Sequence, residues 1–355
     1  MVAGLQLQHF RSYSDASFEF NPGVNIIVGP NASGKTNLLE AVMVLARGSS
    51  YRASDGELIK IGEDWARLDG RTENDSKRIV KFQCRPSGST QKMFEIDEKP
   101  LARLLDKRQL PIVLFEPEHL LLLSGQPELR RNYLDDLIEQ VYSGYSTTRK
   151  LYRRVISQRN SLLKSRPNNL SDQLFVWNIR ASELGGQIAS RRQEIIDKCN
   201  AQLSEIYSAI ATKKTKVDLK YNSKFSLDSY ESSLLSKLES NTDLELARGY
   251  TLYGPHRDDL KILIGGQPAE ETASRGEVRT LVLALKIMEL QIIGEARGQK
   301  PILLLDDVFS ELDGRRRQAL TGFVQKYQTF ITTTDADLVV RNFINQSDIN
   351  VIPLN

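Results

Sequence analysis

Gly29-Pro30-Asn31-Ala32-Ser33-Gly34-Lys35-Thr36 follows the apolar run Val24, Ile26, Ile27, Val28 and precedes Leu38, Leu39, Ala41, Val42 and Leu45 at helical spacing. The order is strand, glycine-bounded loop, helix, the context that a G-x-x-x-x-G-K-[ST] phosphate loop requires. Gly29 and Gly34 permit a tight turn whose backbone N–H groups surround phosphate oxygens, and the helix N-terminus adds its dipole. Pro30, Asn31, Ala32 and Ser33 fill out that cradle. Lys35 can reach the β- and γ-phosphates, and the Thr36 hydroxyl is suited to Mg²⁺.

A second stretch answers the first. Pro301-Ile302-Leu303-Leu304-Leu305-Asp306-Asp307 reads as a buried strand ending in two acids. Ligands of open α/β sheets bind beyond the carboxyl ends of the strands, where Asp306 and Asp307 fall. Asp306 is suited to holding the metal and Asp307 to polarising an attacking water; capping of a structural helix is the plainer reading. Phe330-Ile331-Thr332-Thr333-Thr334-Asp335 reads as a further core strand whose hydroxyls either sense phosphate or reflect strand propensity.

The 355 residues suffice for one large or two moderate domains, and 26% charged with 40% hydrophobic residues is an ordinary soluble balance. A net charge of +3 is too weak to argue for nucleic acid, so any basic surface must be local. Cys84 and Cys199 form neither a disulfide framework nor a zinc pattern. No apolar run approaches membrane-spanning length and no signal segment opens the sequence, so cytoplasm is the simplest compartment.

Arg11 lies between two early strand candidates, and its role is open between a phosphate or base contact and a surface turn. Strand-like segments between Ala66 and Ile96 suggest an antiparallel meander. Pro111-Ile112-Val113-Leu114-Phe115 suggests a parallel strand leading into the Glu116-Pro117-Glu118-His119 turn. From Glu128 to about Ile210 helical spacing dominates, broken at Pro167-Asn168-Asn169, which predicts an inserted antiparallel hairpin. Arg149, Lys150, Arg153, Arg154, Arg159, Lys164 and Arg166 cluster on it, either as a DNA-backbone contact or as a solvated helix face. Val217–Tyr221 is expected to return the chain to the first lobe. The Gly254-Pro255 turn gathers His256, Arg257, Asp258 and Asp259, a polar cluster without an assigned role. Ser274-Arg275-Gly276-Glu277 precedes a long helix, either as a capping box or as a helix N-terminus offered to a partner's nucleotide.

Together these residues resemble the RecF family of bacterial recombination mediators, ABC-type ATPases related to the Rad50 and SMC heads. The resemblance runs through Phe10-Arg11-Ser12-Tyr13, the phosphate loop and Leu129-Arg130-Arg131-Asn132-Tyr133-Leu134-Asp135. It continues in Gly254–Leu260, Ser274-Arg275-Gly276, Asp306-Asp307 with Ser310-Glu311-Leu312-Asp313, and Thr332–Asp335. It implies an α/β fold, an ABC-type P-loop ATPase head with a mixed sheet and an inserted helical hairpin. The lobes would run over 1–124 and 213–355, with the helical arm at 125–212.

The implied activity is weak ATP hydrolysis used as a conformational switch in DNA repair, recombination, replication and the SOS response. ATP and Mg²⁺ are the implied cofactors. Lys35 and Thr36 would bind phosphate and metal, Asp306 the metal, and Asp307 the hydrolytic water. Arg11 would lie near the nucleotide, and Ser274 and Gly276 would close on the γ-phosphate of a second subunit, with Asp313 near that junction. The implied partners are an ATP-dependent homodimer, gapped DNA or a single-/double-strand junction, a RecR-like mediator and, indirectly, a RecA-like recombinase. No membrane partner is implied, and the location is cytoplasmic and nucleoid-associated. The basic arm (Arg149, Lys150, Arg153, Arg154) is the candidate DNA contact. The alternatives are an SMC-like nucleotide-gated scaffold without DNA readout and a small-molecule phosphotransferase. One departure stands out: the family commonly places two glutamines after Ser-Arg-Gly, whereas this chain has Glu277 and Val278. An ionised glutamate pointing inward would repel phosphate.

Overall fold

The computed structural model describes residues 1–335 and 349–354. They divide into two units, Met1–Leu120 with Arg279–Asn355, and Leu121–Val278.

The first unit opens with β1 (Val2–Phe10) and β2 (Tyr13–Glu19), an antiparallel pair, followed by β3 (Val24–Val28). The phosphate loop then leads into α1 (Lys35–Arg47). The expected meander is β4 (Trp65–Thr72), β5 (Lys77–Cys84), β6 (Thr90–Ile96) and β7 (Lys99–Leu101). It joins β1 to give a six-stranded antiparallel sheet of order β2-β1-β4-β5-β6-β7. Its alternation turns Leu68, Val80, Phe82 and Phe94 into a core shared with Leu38, Val42 and Leu45 of α1. Gly70 is needed there, because a Cβ would collide with the Leu45 side chain. β8 (Ile112–Phe115) closes this part of the chain.

The second unit carries α2 (Pro127–Val141), α3 (Tyr145–Ser165), α4 (Leu170–Asn200) and α5 (Leu203–Ala211). The predicted hairpin is α3 against α4, turning through Arg166–Asn169; Gly144, at φ 88°, separates α3 from α2. The unit continues with β9 (Val217–Asn222), α6 (Tyr230–Ser240), α7 (Thr242–Arg248), β10 (Asp259–Ile264), β11 (Gln267–Pro268) and α8 (Ala269–Thr272). This corrects the sequence reading: β9 does not return to the first lobe, and the unit runs past residue 212 to Val278. The reason is local. β9 pairs with β10, and Asn200 brackets Leu219, donating to its carbonyl at 2.9 Å and accepting from its N–H at 2.7 Å. The Ser204 hydroxyl does the same for Val217, both ways at 2.9 Å.

α9 (Arg275–Arg297) starts at the end of the second unit, and from Arg279 it belongs to the first. There follow β12 (Ile302–Leu305), α10 (Val308–Glu311), α11 (Gly314–Val324), β13 (Thr329–Thr333) and β14 (Ile349–Pro353). β3 lies between β13 and β14 in a five-stranded parallel sheet of order β14-β3-β13-β12-β8. β8 and β12 are continuous apolar runs, and every residue of β8, β12 and β13 is buried, as a sheet covered on both faces requires.

Candidate active site

Two adjacent parallel strands, β13 and β12, and the loop after β3 deliver the polar groups of the first unit to one sheet end. Gly29 is required by close approach, since a Cβ would lie 2.5 Å from Ser33 Oγ and 2.6 Å from the Leu354 carbonyl oxygen. Gly34 is required by conformation: at φ +99° it holds a left-handed turn before α1. Ala32 also sits at positive φ. The buried Lys35 ammonium donates to the carbonyls of Gly29 (2.8 Å) and Pro30 (2.9 Å), so the loop is already wrapped around its cation. Ser33 Oγ is buried and makes no hydrogen bond among the described residues. A buried hydroxyl donor without an acceptor in the glycine-bounded loop fits an anionic oxygen.

Asp306 ties the two halves of the site together. Its Oδ1 accepts from Thr36 Oγ1 at 3.1 Å and from Thr332 Oγ1 at 2.7 Å, while Thr332 Oγ1 accepts from the Asp307 N–H at 2.9 Å. The fully buried Thr332 therefore positions the two acids, and its hydroxyl is committed to them rather than to phosphate. Thr333 is likewise used locally, exchanging hydrogen bonds with the Asp335 backbone. Thr36 and Asp306 offer hard oxygen donors side by side, a set that fits Mg²⁺. Asp307 adopts φ 50°, the left-handed region, at the start of α10. Burial raises its pKa, Lys35 opposes the rise and Asp306 adds to it.

Arg11 reaches this site indirectly. Its guanidinium grips Glu40 of α1 through two bonds of 2.8 and 2.9 Å, and Arg52 and Ser50 also donate to Glu40. Glu40 has no exposed surface. Burial alone would raise its pKa, but the bonds from Arg11, Ser50 and Arg52 overcome that and hold it below the usual carboxylate value. Around the same turn, Tyr13 Oη donates to the Gly34 carbonyl (3.1 Å) and Asn37 Nδ2 to Ser12 Oγ (2.9 Å). The Arg11-Ser12-Tyr13 turn thus clamps the phosphate loop and the first turns of its helix. Glu40 was missed in the sequence, although an acid inside the run Leu38-Leu39-Glu40-Ala41-Val42 signals a buried partner.

At the end of β8, Glu116 is half-buried, and its pKa is pushed up to about 7, first by burial and then by Glu118 and Asp306, against Lys286 and Arg52. His119 caps this turn: its Nδ1 accepts from the Glu116 N–H at 3.1 Å, and burial holds the ring neutral.

Ser274 and Gly276 open α9 in the second unit. The capping box is made: the Ser274 N–H and Oγ donate to Glu277 Oε2 at 2.9 and 2.8 Å, and the Glu277 N–H donates to Ser274 Oγ at 3.3 Å. Glu277 is thereby folded back on its own helix end. Asp313 caps α11 through the Arg316 N–H at 3.0 Å; the side chain of Ser310 lies outside the described residues.

The basic arm separates into two sets. Arg149 is a correction: it is largely buried and paired with Asp135 (3.1 Å), Asp136 (3.2 Å) and Glu139 (3.1 Å), which removes it as a backbone contact. Arg159 is fully buried against Glu245 at 2.5 Å. Lys150, Arg153 and Arg154 are exposed.

The profile of the RecF/RecN/SMC N-terminal domain family matches residues 1–349. The DNA replication and repair protein RecF of Lactobacillus johnsonii is 36% identical over 349 residues, covering 95% of this chain and 93% of that protein. The protein of the same name from Bacillus cytotoxicus is 35% identical, over 95% of this chain and 92% of its own. A solved structure of the recombination mediator protein RecF-ATP in the RecFOR pathway superposes with a TM-score of 0.83 at 32% identity, over 94% of this chain and 92% of that one. An Smc head bound to the C-terminal winged-helix domain of ScpA shares the fold, with a TM-score of 0.52 at 16% identity over 96% and 92% of the two chains. The ABC-type ATPase head with its parallel sheet, phosphate loop and inserted helical unit places the chain in the RecF/RecN/SMC N-terminal domain family, among the RecF proteins.

Proposed function

We propose that this chain is an ATP-driven DNA-binding protein of replication and repair, in which ATP joins two copies and slow hydrolysis separates them. The observation that carries the reading is the convergence of Thr36, Asp306 and Thr332 beside a phosphate loop already closed around Lys35. On ATP binding, Lys35 exchanges two loop carbonyls for phosphate oxygens, and Thr36 and Asp306 hold Mg²⁺. The metal supplies charge neutralisation at the phosphates. Asp307, with its raised pKa, orients and polarises the attacking water. Ser274 and Gly276 present the α9 N-terminus to the nucleotide of the second copy, with Asp313 near that junction. Because Glu277 is folded back into its cap, its charge need not oppose closure.

DNA contact falls to Lys150, Arg153 and Arg154, in a cytoplasmic, nucleoid-associated protein acting at gapped DNA with a RecR-like mediator and a RecA-like recombinase. Among the described residues no helix is long and apolar enough to cross a membrane. The pairing of Arg149 and Arg159 narrows the basic face of the arm, and it is the observation behind a second reading, a nucleotide-gated protein scaffold without DNA readout.

Mass in solution with Mg²⁺-ATP, with and without gapped duplex, tests both. Wild type is expected to dimerise with ATP, Lys35→Met to stay monomeric, and Asp307→Asn to give a longer-lived dimer that retains DNA. A monomer under every condition refutes the switch. A dimer indifferent to DNA favours the scaffold.

A further inference from the structure

Two sequence motifs that the nucleotide chemistry leaves unused, Leu129–Asp135 and Gly254–Leu260, meet in the second unit around a cavity of about 280 Å³. Its wall carries four arginines: Arg131 from α2, Arg149 and Arg153 from α3, and Arg192 from α4. Asp135 and Glu128 also line it; Arg149 is taken up by Asp135, Asp136 and Glu139, and Arg192 by Asp135. Asp135 has no acceptor capacity to spare. It takes Arg192 at 2.9 and 3.0 Å and the Tyr145 hydroxyl at 2.6 Å, and it pairs with Arg149 at 3.1 Å. The nearby Asp258 carboxylate is occupied by the Tyr221 and Tyr230 hydroxyls at 2.7 and 2.6 Å.

Arg131 and Arg153 are left over. Arg131 donates to the Asp258 main-chain carbonyl at 3.0 Å, and neither arginine has a carboxylate within ion-pair distance among the described residues. Partial burial, then Arg192 and Arg257, push the Arg131 guanidinium pKa down, against Asp259 and Glu128. The floor adds no charge. Tyr152 Oη lies 2.7 Å from His256 Nδ1, and His256 Nε2 lies 3.2 Å from the Thr251 carbonyl. The carbonyl can only accept, so the proton sits on Nε2 and Nδ1 accepts from the tyrosine. Burial keeps this ring neutral, with its pKa lowered to about 4. Gly254 makes the arrangement possible, because at φ +124° any Cβ would strike the Tyr152 hydroxyl.

We propose that this cavity is a second phosphate-binding site, independent of the phosphate loop, in which Arg131 and Arg153 take a phosphoryl group from a nucleotide or a nucleic-acid strand. Guanidinium forks match phosphate oxygens in pairs, and two arginines without carboxylate partners suit an anionic phosphate group. Half-burial of Arg131 strengthens its attraction relative to a fully exposed charge, while Arg153 meets the ligand from the solvent side. The site stands apart from the ATP reading, since no residue of the ATPase centre contributes to it.

The test is calorimetric titration of inorganic pyrophosphate into the full chain carrying Lys35→Met, which silences the phosphate loop. One saturable site is expected, weakened about tenfold or more by Arg131→Gln or by Arg153→Gln. Both variants should keep the circular dichroism spectrum and melting temperature of their parent, and Arg131→Lys should fall between, keeping charge but losing the fork. An Arg180→Gln chain, altered at an exposed arginine of α4 outside the cavity, should bind pyrophosphate as its parent does. No saturable binding, or an affinity unchanged in both arginine variants, overturns the site. Competition by AMP alone identifies a monoester source. Competition by an oligonucleotide lacking terminal phosphates identifies a strand, and either outcome supports the site. Equal displacement by hexaglutamate overturns the phosphate assignment in favour of an acidic protein segment. If Lys35→Met still binds ATP, the reading of the phosphate loop fails, while the contrast between Arg131→Gln and its parent still decides the cavity.

Discussion

Arg159 and Glu245 form an ion pair at 2.5 Å in which neither side chain has exposed surface. Arg159 also donates to Asn178 Oδ1 (2.7 Å) and Thr251 Oγ1 (2.9 Å), while Glu245 Oε1 accepts from the Leu252 N–H (2.8 Å). Glu245→Gln keeps the shape and the bond to Leu252 but leaves a guanidinium charge without its counterion in a dry site. Breaking a buried pair from one side costs about 3–5 kcal/mol. The two neutral acceptors retained by Arg159 put this case near the lower end, about 3 kcal/mol, or a fall of about 1–2 M in the urea midpoint. Arg159→Met should cost at least as much, since it strands Glu245, Asn178 and Thr251 together. The double variant removes both charges and should cost less than the two singles combined, with a coupling of about 2 kcal/mol. The chain has two tryptophans, Trp65 in the first unit and Trp177 in α4 of the second, so urea unfolding followed by fluorescence in a Trp65→Phe background reads the second unit alone. A cost below about 1 kcal/mol for Glu245→Gln, or strict additivity in the double variant, would show that water reaches the pair and that the argument from burial is wrong.

Glu40→Gln should cost about 2 kcal/mol at pH 7, because Arg11 and Arg52 lose their shared carboxylate yet keep access to water, and ATP affinity should fall about tenfold. The native pKa of Glu40 is lowered, so its contribution is complete above the unfolded carboxylate pKa and is lost as pH falls through the native one; urea titrations in which the difference between the two proteins stays constant or grows as pH falls below the unfolded carboxylate pKa would contradict this. Glu116 carries the opposite sign. With its native pKa raised to about 7, it destabilises increasingly as pH climbs from the unfolded value through 7. Glu116→Gln should therefore match wild type near pH 4 and be roughly 1–2 kcal/mol more stable at pH 8, after allowance for partial exposure; an identical gain at both pH values sinks the assignment. Glu277→Gln preserves the cap and should leave ATP-driven association within about twofold, whereas a much tighter dimer would mean that the carboxylate faces phosphate after all.

The phosphate loop and the paired acids were legible because each is a local pattern: a strand end, a glycine turn and a helix start, or an apolar strand ending in Asp306-Asp307. Strand partnership was not legible. Nothing within Val217–Asn222 says that its partner is Asp259–Ile264 rather than a strand of the ATPase sheet, because pairing is decided by Asn200 and Ser204 reaching in from neighbouring helices. The basic helix misled for a related reason. Arg149 and Arg153 stand one turn apart on α3, and one is consumed by three carboxylates while the other is exposed. Sequence counts charges but does not show which ones are already neutralised. Arg11 fell between the two cases: it was placed near the nucleotide site, but its partner Glu40 was hidden in an otherwise apolar helix.

The parallel sheet has a consequence for how the protein is made. β3 leaves the ribosome early, yet both of its hydrogen-bonding neighbours come from the far end of the chain, Ile27 pairing with Thr332 on one side and with Ile352 on the other. The intervening unit, Leu121–Val278, has its own sheet and core and is fully synthesised before either neighbour exists. Domains fold as units during synthesis, so the phosphate loop waits on an unpaired strand until the last segment arrives. Asp306 and Thr332 arrive with that segment. Nascent chains that stop short of β12 and β13 therefore carry a visible nucleotide motif without a working site, and ATP responsiveness comes only once these strands have been made.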